Sequence, residues 1–117
     1  MSEKLTTYGV DEQGVAVLRI DRPRSRNAIN TGVLEEMLEH LARAREDERV
    51  RVLVVSSSDH MGLSAGADVR EELDDDARVR RMQLFADLYD EITAFPKPTT
   101  SPWHDAIVGF GKAVISS

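Results

Sequence analysis

The sequence predicts a mixed α/β fold that opens with a β-hairpin and continues with parallel strands joined through crossover helices. Three observations carry this prediction. "LTTYGV" and "VAVLRI" are strand-like runs separated only by the polar turn "DEQG", with Gly14 closing the hairpin. From Thr31 onward, Leu34, Met37, Leu38 and Leu41 recur at helical spacing with Glu and Arg on the other faces. "VRVLVV", residues 50–55, is then a short, β-branched and nearly continuous apolar run. Such a run is expected of a strand buried on both faces. Strand, helix, strand in that order implies a right-handed crossover and a parallel pair.

The remaining elements follow in chain order. "DRPRSRNAIN", residues 21–30, reads as loop, because Pro23 removes a backbone donor and fixes its own φ. After the apolar strand comes the small-residue stretch "GLSAGA", then Asp68 with Glu71 three residues on. That spacing fits a capping box, so a helix is expected to begin at Asp68. Met82, Phe85, Leu88, Ile92 and Phe95 mark an amphipathic helix ended by "PKP". "DDD" at 74–76 reads as a solvated helix break rather than an acidic tail or a metal site.

Composition bounds the function classes. A chain of 117 residues fits one domain, 1–117, with 41% apolar and 31% charged residues, ordinary for a globular protein. A net charge of −6 gives no bulk attraction to nucleic acid or anionic membrane, so neither is an expected partner. Zero cysteines rule out disulfides, thiolate chemistry and Cys-based zinc sites, and no metal is expected. No basic-then-apolar leader and no span-length apolar run is present, so the expected location is cytoplasmic.

"GLSAGADVREEL", residues 62–73, is the stretch that points to chemistry. Small residues contribute little to a core, but they let a ligand approach the main chain. The stretch follows a buried strand, at the carboxyl end where α/β sheets bind ligands. The amides of Gly66 and Ala67 are expected just outside a helix N-terminus, where they would stabilise a developing negative oxygen. The alternative is a purely structural turn. Gly62-Leu63-Ser64-Ala65-Gly66 also matches G-x-S-x-G, the serine-hydrolase elbow, with His60 or His104 as base and Asp90 or Asp105 as its orienter. "SSSDHM" intervenes between strand and motif, which argues against that elbow. His40 is expected on the outer surface of its helix and His60 in an exposed loop. Adjacent His104 and Asp105 would face opposite sides of a strand. Glu72 is expected to be solvated, and Glu71 to act as a cap.

"DRP…NAI" at 21–29, the strand at 50–55, "SAGAD" at 64–68 and "FPKPT" at 95–99 together resemble the crotonase family of enoyl-CoA hydratases and isomerases. The resemblance covers about residues 8–99. It implies crotonase-like ββα units and an acyl-CoA substrate whose enolate is stabilised by an oxyanion hole, with coenzyme A entering only as part of the substrate. By the resemblance, Ala67 supplies one oxyanion amide, while Ala65, Gly66, Ala67 and Asp68 lie along the CoA. Arg24 and Arg26 match a CoA-contacting region, where cations suit phosphates.

The sequence departs from the family pattern over 100–117. Gly109-Phe110-Gly111 aligns with the Gly-rich turn, which places Phe110 where the second oxyanion amide belongs. Ala113 stands where hydratases carry a catalytic Glu, and alanine moves no proton. Pro102 falls in an expected central strand, and Trp103 demands more volume than the usual small residue. Residues 1–99 are thus family-like and 100–117 a divergent tail, as expected of a truncated or altered N-terminal portion of a longer fold. An interrupted sheet leaves an apolar edge and face, which predicts self-association, and the family itself is oligomeric. The reading from a different class is a non-catalytic acyl-CoA-binding or assembly module.

Overall fold

The computed structural model describes residues 4–58, 64 and 66–100. Its element order is β1 (Thr6–Val10), β2 (Val15–Ile20), a single 3-10 turn (Pro23–Ser25), α1 (Thr31–Glu46), β3 (Val52–Ser57), α2 (Asp75–Thr93) and β4 (Thr99–Thr100). The strands form one sheet in the order β1-β2-β3-β4. β1 and β2 pair antiparallel, with Tyr8 opposite Leu18. β2–β3 and β3–β4 pair parallel, with Leu18 opposite Val55 and Leu53 opposite Thr99. The expected hairpin and parallel crossover are both present.

Gly14 closes the hairpin at φ +87°, the left-handed region that costs a residue with a Cβ. A Cβ there would lie 2.6 Å from the Arg49 carbonyl and 2.9 Å from the Arg51 side chain, so β3 packs directly on the turn. Gly14 also gives its carbonyl to the Arg51 amide at 2.7 Å, which starts the β2–β3 ladder.

α1 is capped at its start by Asn30, whose side chain accepts from Val33 N at 2.9 Å, a device worth about 1 kcal/mol. At the other end the Lys97 ammonium donates to the carbonyls of Ala44 (2.7 Å) and Asp47 (2.6 Å), where a cation suits the helix dipole. The buried core joins Ala16, Leu18 and Ile20 of β2 and Leu53 and Val55 of β3 to Val33, Leu34, Met37 and Leu41 of α1. Phe85 and Leu88 of α2 complete it.

Four expectations are corrected. The loop 21–30 contains a 3-10 turn, followed by Arg26 and Asn27 at positive φ. β3 is not buried on both faces. Leu53, Val55 and Ser57 face the helices, whereas Val52, Val54 and Ser56 are only half-buried, because both helices pack on one side of the sheet. Met82 is 61% exposed on the outer face of α2, and Leu84 packs against the core from that turn. Finally, α2 begins at Asp75 rather than Asp68. The "DDD" run is its start: Asp74 caps by accepting from Ala77 N at 2.8 Å, and Asp75 and Asp76 sit in the first turn, where negative charge is favoured.

Candidate functional site

Asp68 does not open a helix because both of its carboxylate oxygens are held elsewhere. Oδ1 accepts from Arg70 N at 2.9 Å, and Oδ2 accepts from Arg22 Nη1 at 3.0 Å. Bonding from the Arg70 amide and, next, the Arg22 guanidinium hold this carboxyl below its ordinary range, against the opposing effect of burial. The same Arg22 nitrogen donates to the Ala28 carbonyl at 2.7 Å. Glu71 does not reach back to Asp68 as a capping-box partner. Its carboxylate accepts from Thr31 N (3.0 and 3.1 Å), Thr31 Oγ1 (3.1 Å) and Arg81 Nη1 (3.2 Å), thereby capping α1 across 40 residues of sequence. Glu72 is exposed, as expected.

Ala67 pairs with Ile29 in an isolated parallel bridge. Ile29 N donates to the Gly66 carbonyl at 2.8 Å, and Asp68 N donates to the Ile29 carbonyl at 2.9 Å. In a parallel bridge the flanking residues make the bonds, so the amide of the bridging residue points away from its partner. Gly66, at φ +102°, gives its N–H to Ser64 Oγ at 2.9 Å. Ala67 is therefore the one residue of 66–68 whose N–H has no partner among the described residues, and Ala67 itself is exposed. The expectation that both amides sit open at a helix mouth is corrected: Gly66 is internally bonded, and the Ala67 amide is held by a strand bridge.

Ser64 donates its hydroxyl proton to the Asn27 carbonyl at 2.6 Å, so it ties this loop to the 21–30 segment. A serine engaged in this way is no nucleophile aimed at a histidine base, which weighs against the hydrolase reading. Arg24 and Arg26 lie on the turn beyond β2, both exposed and without side-chain partners among the described residues. Arg24 lines an open cavity of about 540 Å³ with Lys4, Leu5, Asp21, Arg22, Pro23 and Ser25. Ala65, His60, Pro102, Trp103, His104, Asp105, Phe110 and Ala113 lie outside the described residues. Among the described residues no cluster of metal-ligating side chains occurs.

His40 is not simply a surface residue. Its ring stacks on Tyr8 with centroids 5.2 Å apart and planes 7° from parallel, and its Nε2 lies 2.9 Å from Thr6 Oγ1. Thr6 Oγ1 donates to Glu36 at 2.7 Å, so it accepts from His40 Nε2–H. That leaves the buried Nδ1 as an unprotonated acceptor without a partner. Burial lowers the His40 pKa, with Glu36 opposing.

Sequence reasoning missed Arg22, Asn27 and Arg81. Asn27 is fully buried, adopts φ +56°, and accepts from Arg22 N at 2.7 Å, which shapes the turn that delivers Ile29 to Ala67. Arg81 Nη1 donates to the Asp68 carbonyl at 2.9 Å from α2. An Asn between basic residues in a Pro-containing loop is the sole local signal for any of the three.

With this geometry in view, comparison with known proteins gives the class. A sequence model described as enoyl-CoA hydratase/isomerase matches residues 10–114, and the chain belongs to that family. It is 38% identical over 101 residues to the mouse "Enoyl-CoA hydratase domain-containing protein 2, mitochondrial", a match covering 85% of this chain and 34% of the relative. It is 28% identical over 100 residues to the 2,3-dehydroadipyl-CoA hydratase of Escherichia coli K12, covering 86% of this chain and 39% of the relative. The chain thus spans a little over a third of the length of these relatives. An enoyl-CoA hydratase structure from Mycobacterium smegmatis superposes with a TM-score of 0.75 at 28% identity, covering 85% of this chain and 39% of that one. The Bacillus anthracis enzyme, at 18% identity, has the same fold with a TM-score of 0.77 over 84% of this chain and 39% of that one. The crotonase-like α/β reading stands.

Proposed function

We propose that this chain binds an acyl-CoA thioester and that the Ala67 amide donates to its carbonyl oxygen. The observation that carries the reading is the unpaired, exposed N–H of Ala67 between two residues whose main chain is pinned to Ile29. A fixed donor needs no reorganisation as charge grows on that oxygen, which is why one such donor is worth on the order of 3 kcal/mol in a transition state. The reaction class is addition of water to, or double-bond migration in, an enoyl thioester. In hydration the water oxygen bonds the β-carbon and the π electrons move through the α-carbon to the thioester oxygen. The enolate so formed collapses as the α-carbon takes a proton. Ala67 and, by family resemblance, the Phe110 amide would hold the enolate oxygen. Ala65, Gly66 and Asp68 would lie along the CoA, and the free guanidinium groups of Arg24 and Arg26 suit its phosphates.

A second reading, a binding module without turnover, is favoured by a specific observation. Asp68 and Glu71, the acids nearest Ala67 in sequence, are both engaged in holding the loop. Ala113 offers no proton. We also propose self-association through the half-buried sheet face of Val52 and Val54, beside Val17 at 37% exposure.

Calorimetric titration of the full chain with CoA and with crotonyl-CoA, alongside a hydratase assay, tests these readings. Tighter binding of crotonyl-CoA than of CoA supports the thioester site. Turnover then selects the enzyme and its absence the binding module. Equal or absent binding of both ligands overturns the proposal.

A further inference from the structure

We infer that Arg22 and Arg81 are positioning residues that hold the Ala67 amide in line with a bound thioester carbonyl, an inference that rests on the proposed acyl-CoA site. The two arginines reach the same residue, Asp68, from different elements. Arg22 arrives from the loop after β2 and binds the Asp68 carboxylate at 3.0 Å and the Ala28 carbonyl at 2.7 Å through one nitrogen. Arg81 arrives from α2 and binds the Asp68 carbonyl at 2.9 Å and Glu71 at 3.2 Å, again through one nitrogen.

The consequence lies in what each bond fixes. Arg22 joins Ala28 to Asp68, the residues that precede Ile29 and follow Ala67 on the two sides of the bridge. It therefore sets the relative height of the two segments across which Ala67 is held. Arg81 fixes the peptide immediately after that bridge and couples it, through Glu71, to the start of α1. Every polar group of Asp68 is thus bonded: its N–H to Ile29, its carbonyl to Arg81, and its carboxylate to Arg22 and Arg70. Side-chain exposures of 17% and 11% for Arg22 and Asp68 place this pair largely out of water, where its geometry is better defined than that of a surface pair. The Ala67 side chain touches neither arginine's hydrogen-bonding nitrogen, so both act on the amide through Asp68. Two fixed sides and one free N–H between them is the arrangement expected of a preorganised donor.

The test compares acetyl-CoA with its thioether analogue S-ethyl-CoA, which lacks the carbonyl, on wild type, R22M, R22K and R81M of the full chain. Isotope-edited infrared spectroscopy of the bound ¹³C=O thioester gives the second readout. Wild type is expected to prefer the thioester by about tenfold, the worth of one well-made hydrogen bond, with the carbonyl stretch moved to lower frequency. In R22M and R81M the preference falls toward unity and the stretch returns toward its value in water, while S-ethyl-CoA binds within about twofold of wild type. R22K, whose ammonium donates to the same two oxygens, restores most of the preference. Folded R22M with the wild-type ratio and carbonyl frequency overturns the inference. If R22M does not fold, R81M decides by the same criteria. A wild type that binds both ligands equally overturns the acyl-CoA reading itself, a result distinct from loss of preference in the variants alone.

Discussion

Glu71→Gln isolates what the loop contributes to the fold. In the wild type, the carboxylate receives the backbone N–H and hydroxyl of Thr31 at the first turn of α1 and the Arg81 guanidinium. The amide side chain keeps one acceptor oxygen, presents an NH₂ group to donors in place of the other, and removes the negative charge from the helix N-terminus. Hydrogen bonds to a charged partner contribute about 1.5–3 kcal/mol, and a helix-dipole interaction about 0.3–1 kcal/mol. Exposure of about a fifth of the Glu71 and Arg81 side chains, 20% and 21%, places the sum toward the lower end. A loss of about 2 kcal/mol is expected, equivalent to roughly 8 °C in Tm for a domain of this size. Thermal unfolding followed by far-UV circular dichroism measures it. A Tm within a degree of wild type would refute the assignment of Glu71 as a cross-chain cap and return it to the pool of free acids.

Three further outcomes follow from the same geometry. Gly14→Ala combines a Cβ 2.6 Å from a backbone oxygen with φ +87°, so chemical denaturation should show a loss of at least about 2 kcal/mol. His40 has its pKa lowered by burial, so its neutral form is the one the fold prefers and protonation opposes folding. Its contribution is fully present above the unfolded value of about 6.5 and is lost as pH falls from there through the folded value. Tm should therefore drop between about pH 7 and 5 in wild type, and less so in H40Q. For the half-buried sheet face, sedimentation velocity should give species heavier than 13.1 kDa, and a sharp, concentration-independent monomer would contradict that proposal.

What was legible in the sequence was local or periodic. Gly14 marked the hairpin, and Leu34, Met37 and Leu41 marked the buried stripe of α1 because packing on a helix follows a 3.6-residue repeat. The start of α2 was misplaced because Asp68-x-x-Glu71 has the spacing of a capping box, while its actual partners are Arg22, 46 residues back, and Thr31, 40 back. No local rule distinguishes Arg22 from Arg24 and Arg26 three and four letters on. Only the folded loop turns the first inward and leaves the others in solvent. The second face of β3 failed for a related reason: an apolar run specifies that a strand can be covered, not which layers cover it. The "SAGAD" segment was legible as a ligand-approach site, yet the open amide owes its freedom to Ile29 rather than to a helix terminus.

The account depends most on a single N–H at residue 67 that awaits an oxygen the protein does not itself supply. Two-dimensional ¹H–¹⁵N spectra of the labelled chain, titrated with crotonyl-CoA and separately with CoA, report on that proton directly. The Ala67 resonance should move downfield with the thioester and stay within its linewidth with CoA. An Ala67 resonance that responds identically to the two ligands, or that is already protected from hydrogen exchange without either, would contradict it.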